Sequence, residues 1–281
     1  MSVRLDRWWA KRTGQSTYDP VAAMSDSFYS FDVFVGDRHR GNSAGVVITH
    51  EPWPDASMQG LASELGFSET AFITIDPGNL YLRWFTPTTE VDLCGHATAA
   101  TAAALVAHGE VAPNSEIAVV TRSGTLRCGS DGHHAWVALP GLSCIPVAVP
   151  AWAALAQAAW EAPGWTLLEF GDRDSLLSIS SSSLAHVGIG GLIAAFVIET
   201  PTQCALRVFA PALGIVEDPV TGSAHSYIAP LLRDRIGATR YRAEQCSQRG
   251  GIVEVLHEAQ GVIVSGVLAL TGQGWKDRGD Y

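Results

Sequence analysis

The sequence predicts an α+β protein of two similar domains, on three observations. The first is a pair of stretches that follow one plan. Arg83-Trp84-Phe85-Thr86-Pro87 leads to Val91-Asp92-Leu93-Cys94-Gly95-His96-Ala97-Thr98, and Arg207-Val208-Phe209-Ala210-Pro211 leads to Glu217-Asp218-Pro219-Val220-Thr221-Gly222-Ser223-Ala224-His225. Each predicts a strand, a proline-containing loop, a glycine turn and a helix start. The second observation is a consistent register. Arg83 to Arg207 is a shift of 124, while Gly95 to Gly222 and Arg122-Ser123-Gly124 to Arg249-Gly250-Gly251 are shifts of 127. One three-residue insertion accounts for all three, and so long a period implies two domains, not a short-repeat solenoid. The third is the stretch 97–106, almost all Ala, Thr, Leu and Val. A helix with no polar face must be enclosed, and its small side chains let strands approach closely, so it is expected to thread a curled sheet.

Composition narrows the function classes. The chain has 281 residues, 47% hydrophobic and 16% charged, enough to bury a sizeable core in one large or two ordinary domains. The net charge is −10, only Lys11 and Lys276 are lysines, and no basic patch is interleaved with aromatics. No nucleic-acid partner is expected. The five cysteines are odd in number and without metal-ligand spacing, which argues for a reducing compartment and against a disulfide framework or a metal site. The longest apolar run, 187–198, is too short to span a membrane. No signal peptide is visible, because the basic 4–12 region lacks an apolar stretch after it. A cytoplasmic protein with no membrane association is expected.

The order of elements follows from local pattern. Residues 1–25 have no clear period and read as an N-terminal extension, either disordered or a non-native leader before a start at Met24. Strands are predicted over 29–35 and 45–49, around the turn Arg40-Gly41-Asn42-Ser43. Met58, Leu61, Ala62 and Leu65 follow helical spacing, so 55–65 is a helix capped by Asp55 and stopped by Gly66. Strands follow over 71–75, 80–85, 117–121, 125–128 and 134–139. Pro140-Gly141 and the prolines of 145–150 mark the interdomain link, dividing a domain 26–144 from a domain 145–281. The stretch 151–160 is expected as a surface helix and 178–183 as a loop. Strands over 194–199, 205–209, 252–256 and 262–270 and a helix over 223–235 complete the second half. Pro230 should kink that helix at a cost of roughly 3 kcal/mol if nothing compensates. The tail 271–281 is polar and expected to be loose.

The two glycine turns carry the chemistry. A helix N-terminus offers free N–H groups and positive dipole, and glycine lets a ligand approach them. If the turns of Gly95 and Gly222 face each other, the cleft between them suits a small carboxylate. Donors on both sides would also stabilise charge developing on the adjacent carbon skeleton. Proton transfer then needs a side-chain acid or base, for which the candidates are Glu69, His96 and Asp218. Each has a bland alternative. Glu69 also fits a capping or solvated glutamate, His96 a histidine bonded at a helix start, and Asp218 a turn residue before Pro219. The duplication and the paired turns favour the set acting together.

These residues resemble the PhzF-like (phenazine-biosynthesis-like) isomerase family, within the diaminopimelate epimerase superfamily. The resemblance rests on Phe31-Asp32-Val33-Phe34, Arg40-Gly41-Asn42, Phe67-Ser68-Glu69-Thr70-Ala71-Phe72, Phe85-Thr86-Pro87, Asp92-Leu93-Cys94-Gly95-His96-Ala97-Thr98 and 217–224. It implies two domains, each a mixed sheet rolled into a barrel around a central helix, with the site between them, and a homodimer. It also implies cofactor-independent isomerisation by a shifted proton on a small carboxylate-bearing substrate. By motif position Glu69 is the acid/base and His96 and Asp218 assist it. Gly95, Gly222 and Ser223 form the carboxylate clamp, with Asn42 as a further polar contact. Related racemases use two opposed cysteines. Here Cys94 takes the first position, but Val220-Thr221-Gly222 supplies no second, so a two-thiol racemase is not expected and Cys94 reads as packing. The phenazine-pathway member isomerises a dihydro-hydroxyanthranilate; the substrate does not carry over to this chain.

Three rivals remain on the sequence. One is a member of the same fold that binds a small molecule or partner without turnover. Another is a thiol hydrolase using Cys94 with His96, disfavoured because side chains two apart at a helix start point away from each other. The last is a nucleotide binder at Gly188-Ile189-Gly190-Gly191, which lacks the last glycine and an acidic partner about 20 residues on.

Overall fold

The computed structural model describes residues 26–184, 191–211 and 215–274. The expected extension 1–25, most of the glycine run 188–191 and the end of the tail lie outside the described residues. The chain begins with β1 (Ser27–Val35), β2 (Asn42–Thr49), helix α1 (Asp55–Leu65), β3 (Glu69–Asp76), β4 (Asn79–Phe85) and β5 (Glu90–Val91). Helix α2 (Gly95–His108) follows, then β6 (Ile117–Thr121), β7 (Gly124–Ser130), β8 (His134–Leu139), β9 (Ile145–Val147), β10 (Ala156–Ala162) and β11 (Trp165–Phe170). After the short helices α3 (Arg173–Leu177) and α4 (Ser181–Leu184) come β12 (Leu192–Thr200), β13 (Gln203–Ala210) and β14 (Ile215–Asp218). Helix α5 (His225–Ile236), β15 (Arg240–Gln245), β16 (Gly251–Glu258) and β17 (Gly261–Gly274) end the described chain.

Strand pairing repeats between the halves. The pairs β1–β2, β3–β4, β6–β7 and β7–β8 are antiparallel, while β2–β3 and β4–β6 are parallel. The pairs β10–β11, β12–β13, β15–β16 and β16–β17 are likewise antiparallel, and β11–β12 and β13–β15 parallel. The ion pairs repeat as well. Arg83 holds Glu90 through two N–H groups and lies over Phe85; Arg207 does the same with Glu217 and Phe209.

One barrel is closed. Its strands run β1–β2–β3–β4–β6–β7–β8–β17, and β17 returns to β1 through pairs from Phe28–Gly274 to Val35–Val267. The sheet therefore continues across the expected boundary at 144/145, because β17 pairs with β16 and also closes the first barrel. Among the described residues the second run, β9 to β17, has no pairing that closes it on itself. The first barrel encloses α2, which is buried from Gly95 to Leu105. Thr98 and Thr101 turn their hydroxyls back to the carbonyls of Cys94 and Ala97, so these two hydroxyls are satisfied within the helix. Helix α1 covers the barrel's outside through Met58, Leu61 and Ala62 on Val47, Phe72 and Phe85, each large side chain contributing about 1.5–3 kcal/mol on burial.

Several local expectations are corrected. Asp55 does not cap α1. Pro54 occupies that position, and the Asp55 carboxylate pairs with Arg83 instead, at 2.7 Å. The Ala-rich 151–160 is not a helix. One 3-10 turn, Ala151–Ala153, precedes β10, which pairs on both edges with β9 and β11. Ladder bonds and the burial of Ala159 and Trp160 override alanine's helix propensity. The supposed loop 178–183 enters α4, and Thr271–Gly274 is not loose tail but strand against β1. Pro230 does lie inside α5. Proline removes the N–H that would reach the Ser226 carbonyl, and the Leu142 N–H takes that acceptor at 2.8 Å.

Candidate functional site

The two glycine turns face each other. Gly95 opens α2 and Gly222 opens the 3-10 turn leading into α5, and a Cβ added at Gly95 would lie 3.9 Å from Gly222 Cα. Neither glycine has a positive φ. A Cβ at Gly222 would meet Val264 at 3.5 Å and the Phe34 ring at 3.8 Å, ordinary contact distances. Backbone and packing thus demand glycine at neither place. The two buried turns thus lie in close approach, each opening a helix with no side-chain cap. Ser223, the residue after Gly222, is partly exposed at the same turn.

Glu69 lies beside the first of these turns, against His96. It is the first residue of β3, which starts two residues before the strand expected over 71–75, and pairs in register with Ala44. Its Oε2 lies 3.1 Å from Nε2 of His96. The contact is off the line of a hydrogen bond, and both atoms are buried with no other partner. The His96 side chain is 6% exposed and that of Glu69 16%. Burial acts to lower the His96 pKa, but the neighbouring Cys94 and Glu69 overcome it and hold it well above 6.5. Burial and the Glu69 charge keep Cys94 a neutral thiol by raising its pKa. The lasting anionic partner of His96 is therefore Glu69.

Asp218 and Asn42 come together across the chain. Asn42 Nδ2 donates to Asp218 Oδ1 and to the Val220 carbonyl, both at 3.0 Å, and its Oδ1 accepts from Ser68 at 2.7 Å. The Thr221 hydroxyl donates to the other Asp218 oxygen. Burial pushes the Asp218 pKa up to about 6 and Glu69 adds to this, against the lowering effect of His96, Thr221 and Asn42. Asn42 is fully buried and ties the residue before Glu69 to the second half. Its own turn is clamped from that half. Arg40 and Gly41 donate to the carbonyls of Arg249 and Gly250, and Arg249 reaches Asp32, Ser43 and the Gly41 carbonyl. Gly41 is required, with φ 68 and a Cβ that would fall 2.2 Å from the Val33 carbonyl oxygen.

The structure thus brings Glu69, His96, Asp218 and Asn42 together around the facing turns of Gly95 and Gly222. Sequence reasoning missed Gln245, and quoted Phe34 as a motif residue without giving it a role. Gln245 is fully buried, accepts from the Thr221 N–H at 2.8 Å and donates to the Asp218 carbonyl at 2.8 Å. It reads as one more polar residue at a strand end, and only its burial marks it. Phe34 holds φ 65 at a β-bulge, a costly conformation for an aromatic residue, and its ring packs against Gly222.

One expectation about this site is wrong. The side chains of Cys94 and His96 do not point apart, because Sγ lies 3.5 Å from Nδ1. Cys94 is the N-cap, with φ −144 and ψ 107, so the helical rule for residues two apart does not apply. Glu69, Cys94 and His96 each offer one donor atom, all within 4.8 Å of one another. Cavities of about 300 and 400 Å³ lie elsewhere, around Phe170 and Leu184 and around Tyr241 and Glu254, and none of these site residues lines them.

Comparisons with known proteins follow the same outline. Residues 31–169 and 180–272 match the family described as phenazine biosynthesis-like protein. An uncharacterised isomerase of Pseudomonas aeruginosa is 34% identical over 258 residues, spanning 88% of this chain and 97% of its own. A crystal structure of a phenazine biosynthesis PhzC/PhzF protein from Clostridium difficile superposes with TM-score 0.79 at 29% identity, over 89% of this chain and 98% of that one. A hydroxyproline epimerase from Agrobacterium vitis shares the fold at TM-score 0.60 and 11% identity, over 89% and 92%.

Proposed function

Because this chain belongs to the phenazine biosynthesis-like PhzF family, whose relatives are named isomerases, we propose that it is a cofactor-independent isomerase that moves a proton on a small carboxylate-bearing substrate. The observation that carries the reading is the Glu69–His96 pair, 3.1 Å apart, with no other partner for either facing atom, beside two facing glycine turns that each open a helix without a side-chain cap.

The substrate carboxylate lies between the turns, held by N–H groups at Gly95, Gly222 and Ser223. Glu69 takes a proton from a carbon near that carboxylate and returns it to another carbon of the conjugated system. His96, positively charged beside Glu69, stabilises the anionic intermediate. Asp218, ionising near pH 6, aligns the substrate's polar group and stays tied to Asn42 and Thr221. Product forms with no net gain or loss of protons.

Incubation in heavy water with small unsaturated and amino carboxylic acids, dihydro-hydroxyanthranilate among them, tests this by NMR. Deuterium incorporation or isomerisation is expected with the native protein. A fall of about 10²–10⁴-fold is expected in Glu69→Gln, the range a positioned acid or base contributes. Exchange that persists in Glu69→Gln removes Glu69 as the base. No exchange across the panel by the folded protein favours a binding role without turnover.

A further inference from the structure

We propose that Gln245 is a positioning residue for the proton-transfer site, acting through the Thr221 hydroxyl to hold Asp218 as a hydrogen-bond acceptor. A backbone group fixes the orientation of each amide involved. Gln245 accepts from the Thr221 N–H at 2.8 Å, so its oxygen lies on that side, and its nitrogen then faces the Asp218 carbonyl at 2.8 Å, which can only accept. The same nitrogen lies 3.3 Å from the Thr221 hydroxyl oxygen and can only donate to it. That leaves the hydroxyl's one proton for the Asp218 carboxylate, to which Thr221 donates. The other carboxylate oxygen is served in the same way. The Val220 carbonyl sets the Asn42 amide with its nitrogen toward Asp218 Oδ1, and Ser68 donates to the amide oxygen. Both oxygens of Asp218 therefore meet donors whose direction is set elsewhere in the fold.

Support of the turn alone does not explain Gln245. The backbone of 219–220 is already held by Ser247, which donates to the Pro219 carbonyl at 2.7 Å, and by Asn42 on the Val220 carbonyl at 3.0 Å. Of the three, only the fully buried Gln245 also sets the hydroxyl that bonds the carboxylate. A hydroxyl that accepts one bond donates more strongly in the next, and donors to a carboxylate favour its charged form. They oppose burial, which acts the other way and takes the Asp218 pKa to about 6. The charged groups facing Asp218 are His96, which favours the carboxylate, and Glu69, which opposes it. A substitution at Gln245 alters neither. The catalytic weight of Gln245 rests on the isomerase reading above, in which Asp218 aligns the substrate. The relay from Gln245 through Thr221 to Asp218 does not rest on it.

The test of the relay needs no substrate. The Asp218 carboxyl is titrated by carbon-13 NMR of the full chain with aspartate labelled at the carboxyl carbon, and Asp218→Asn identifies the resonance. Thr221→Val, which removes the donor, should tighten proton binding by about 10–100-fold, the contribution of a hydrogen bond to a charged group. Gln245→Met should tighten it by about three- to tenfold, a part of that effect. Added to Thr221→Val, Gln245→Met should move the titration no further, because the two act on one bond. Thr221→Ser keeps the hydroxyl and should keep the native midpoint. In the native protein, which needs no variant, the Gln245 side-chain amide protons should shift with the Asp218 midpoint. A midpoint unmoved in folded Gln245→Met, an equal shift from Gln245→Met with and without the Thr221 hydroxyl, or amide protons indifferent to the Asp218 titration overturns the relay. With a substrate that exchanges, the acidic limb of kcat/KM should move to higher pH in Gln245→Met, in step with the Asp218 midpoint. A lower rate with the limb unmoved overturns the positioning role. Absence of exchange by the folded native protein overturns the isomerase reading and leaves the relay standing.

Discussion

Asp218→Asn should stabilise the fold at neutral pH while damaging catalysis. Burial raises the Asp218 pKa from 3.8 to about 6. A group whose folded pKa lies above its unfolded one binds its proton more tightly when folded. Its contribution is fully present below pH 3.8 and is lost as pH climbs through about 6. At about 1.4 kcal/mol per tenfold change in proton binding, the charged carboxylate costs at most about 3 kcal/mol above that window. The residue keeps part of its surface, so screening makes this an upper bound. Asparagine has no such titration. Its Oδ1 can keep the bond from Asn42, and the Thr221 hydroxyl can rotate to accept from the new Nδ2. The assay is urea unfolding of both proteins from pH 4 to 8. The difference should grow from near zero to at most ~3 kcal/mol, or up to ~6–12 °C in Tm for a chain of this size. Only the difference is informative, because His225 works the other way. Burial lowers its pKa from 6.5 to about 3, so its contribution is present above 6.5 and lost as pH falls toward 3. A constant stability difference across the range would refute the buried-charge account of Asp218.

Further substitutions separate packing from function. Gly95→Ala should leave the fold within about 1 kcal/mol, because the buried methyl meets only atoms at 3.9 Å, yet it should abolish binding of carboxylate substrates measured by calorimetry. Arg207→Ala should cost about 3–5 kcal/mol in unfolding experiments, since this nearly buried guanidinium holds Glu217 and the Ile179 carbonyl. Arg83→Ala, its more exposed counterpart, should cost only about 1 kcal/mol. His225→Gln should flatten the loss of stability between pH 6.5 and 3, read from the same urea series.

The sequence alone determined the duplicated plan, the buried α2 helix and most of the candidate site. Register and periodicity are local properties, so the shared offset of Gly95 and Gly222 and the apolar run 97–106 are legible without coordinates. Helix ends were legible where glycine chemistry sets them, as at Gly66. The Ala-rich 151–160 was not legible, because pairing on both edges, with β9 and β11, decided its conformation against its own propensity. Closure of the first barrel by β17 was hidden for the same reason. A strand's pattern tells which face is buried, not which neighbour it joins. At the site, the residue types were visible but their relations were not. That Cys94 touches His96 follows from one extended N-cap residue, and that Asp218 meets Asn42 follows from two strand ends 176 residues apart in sequence. Gln245 was invisible, and Phe34 legible only as a motif residue, because their importance lies in burial and backbone strain. Only tertiary packing removes water around a carboxylate or holds an aromatic residue at φ 65.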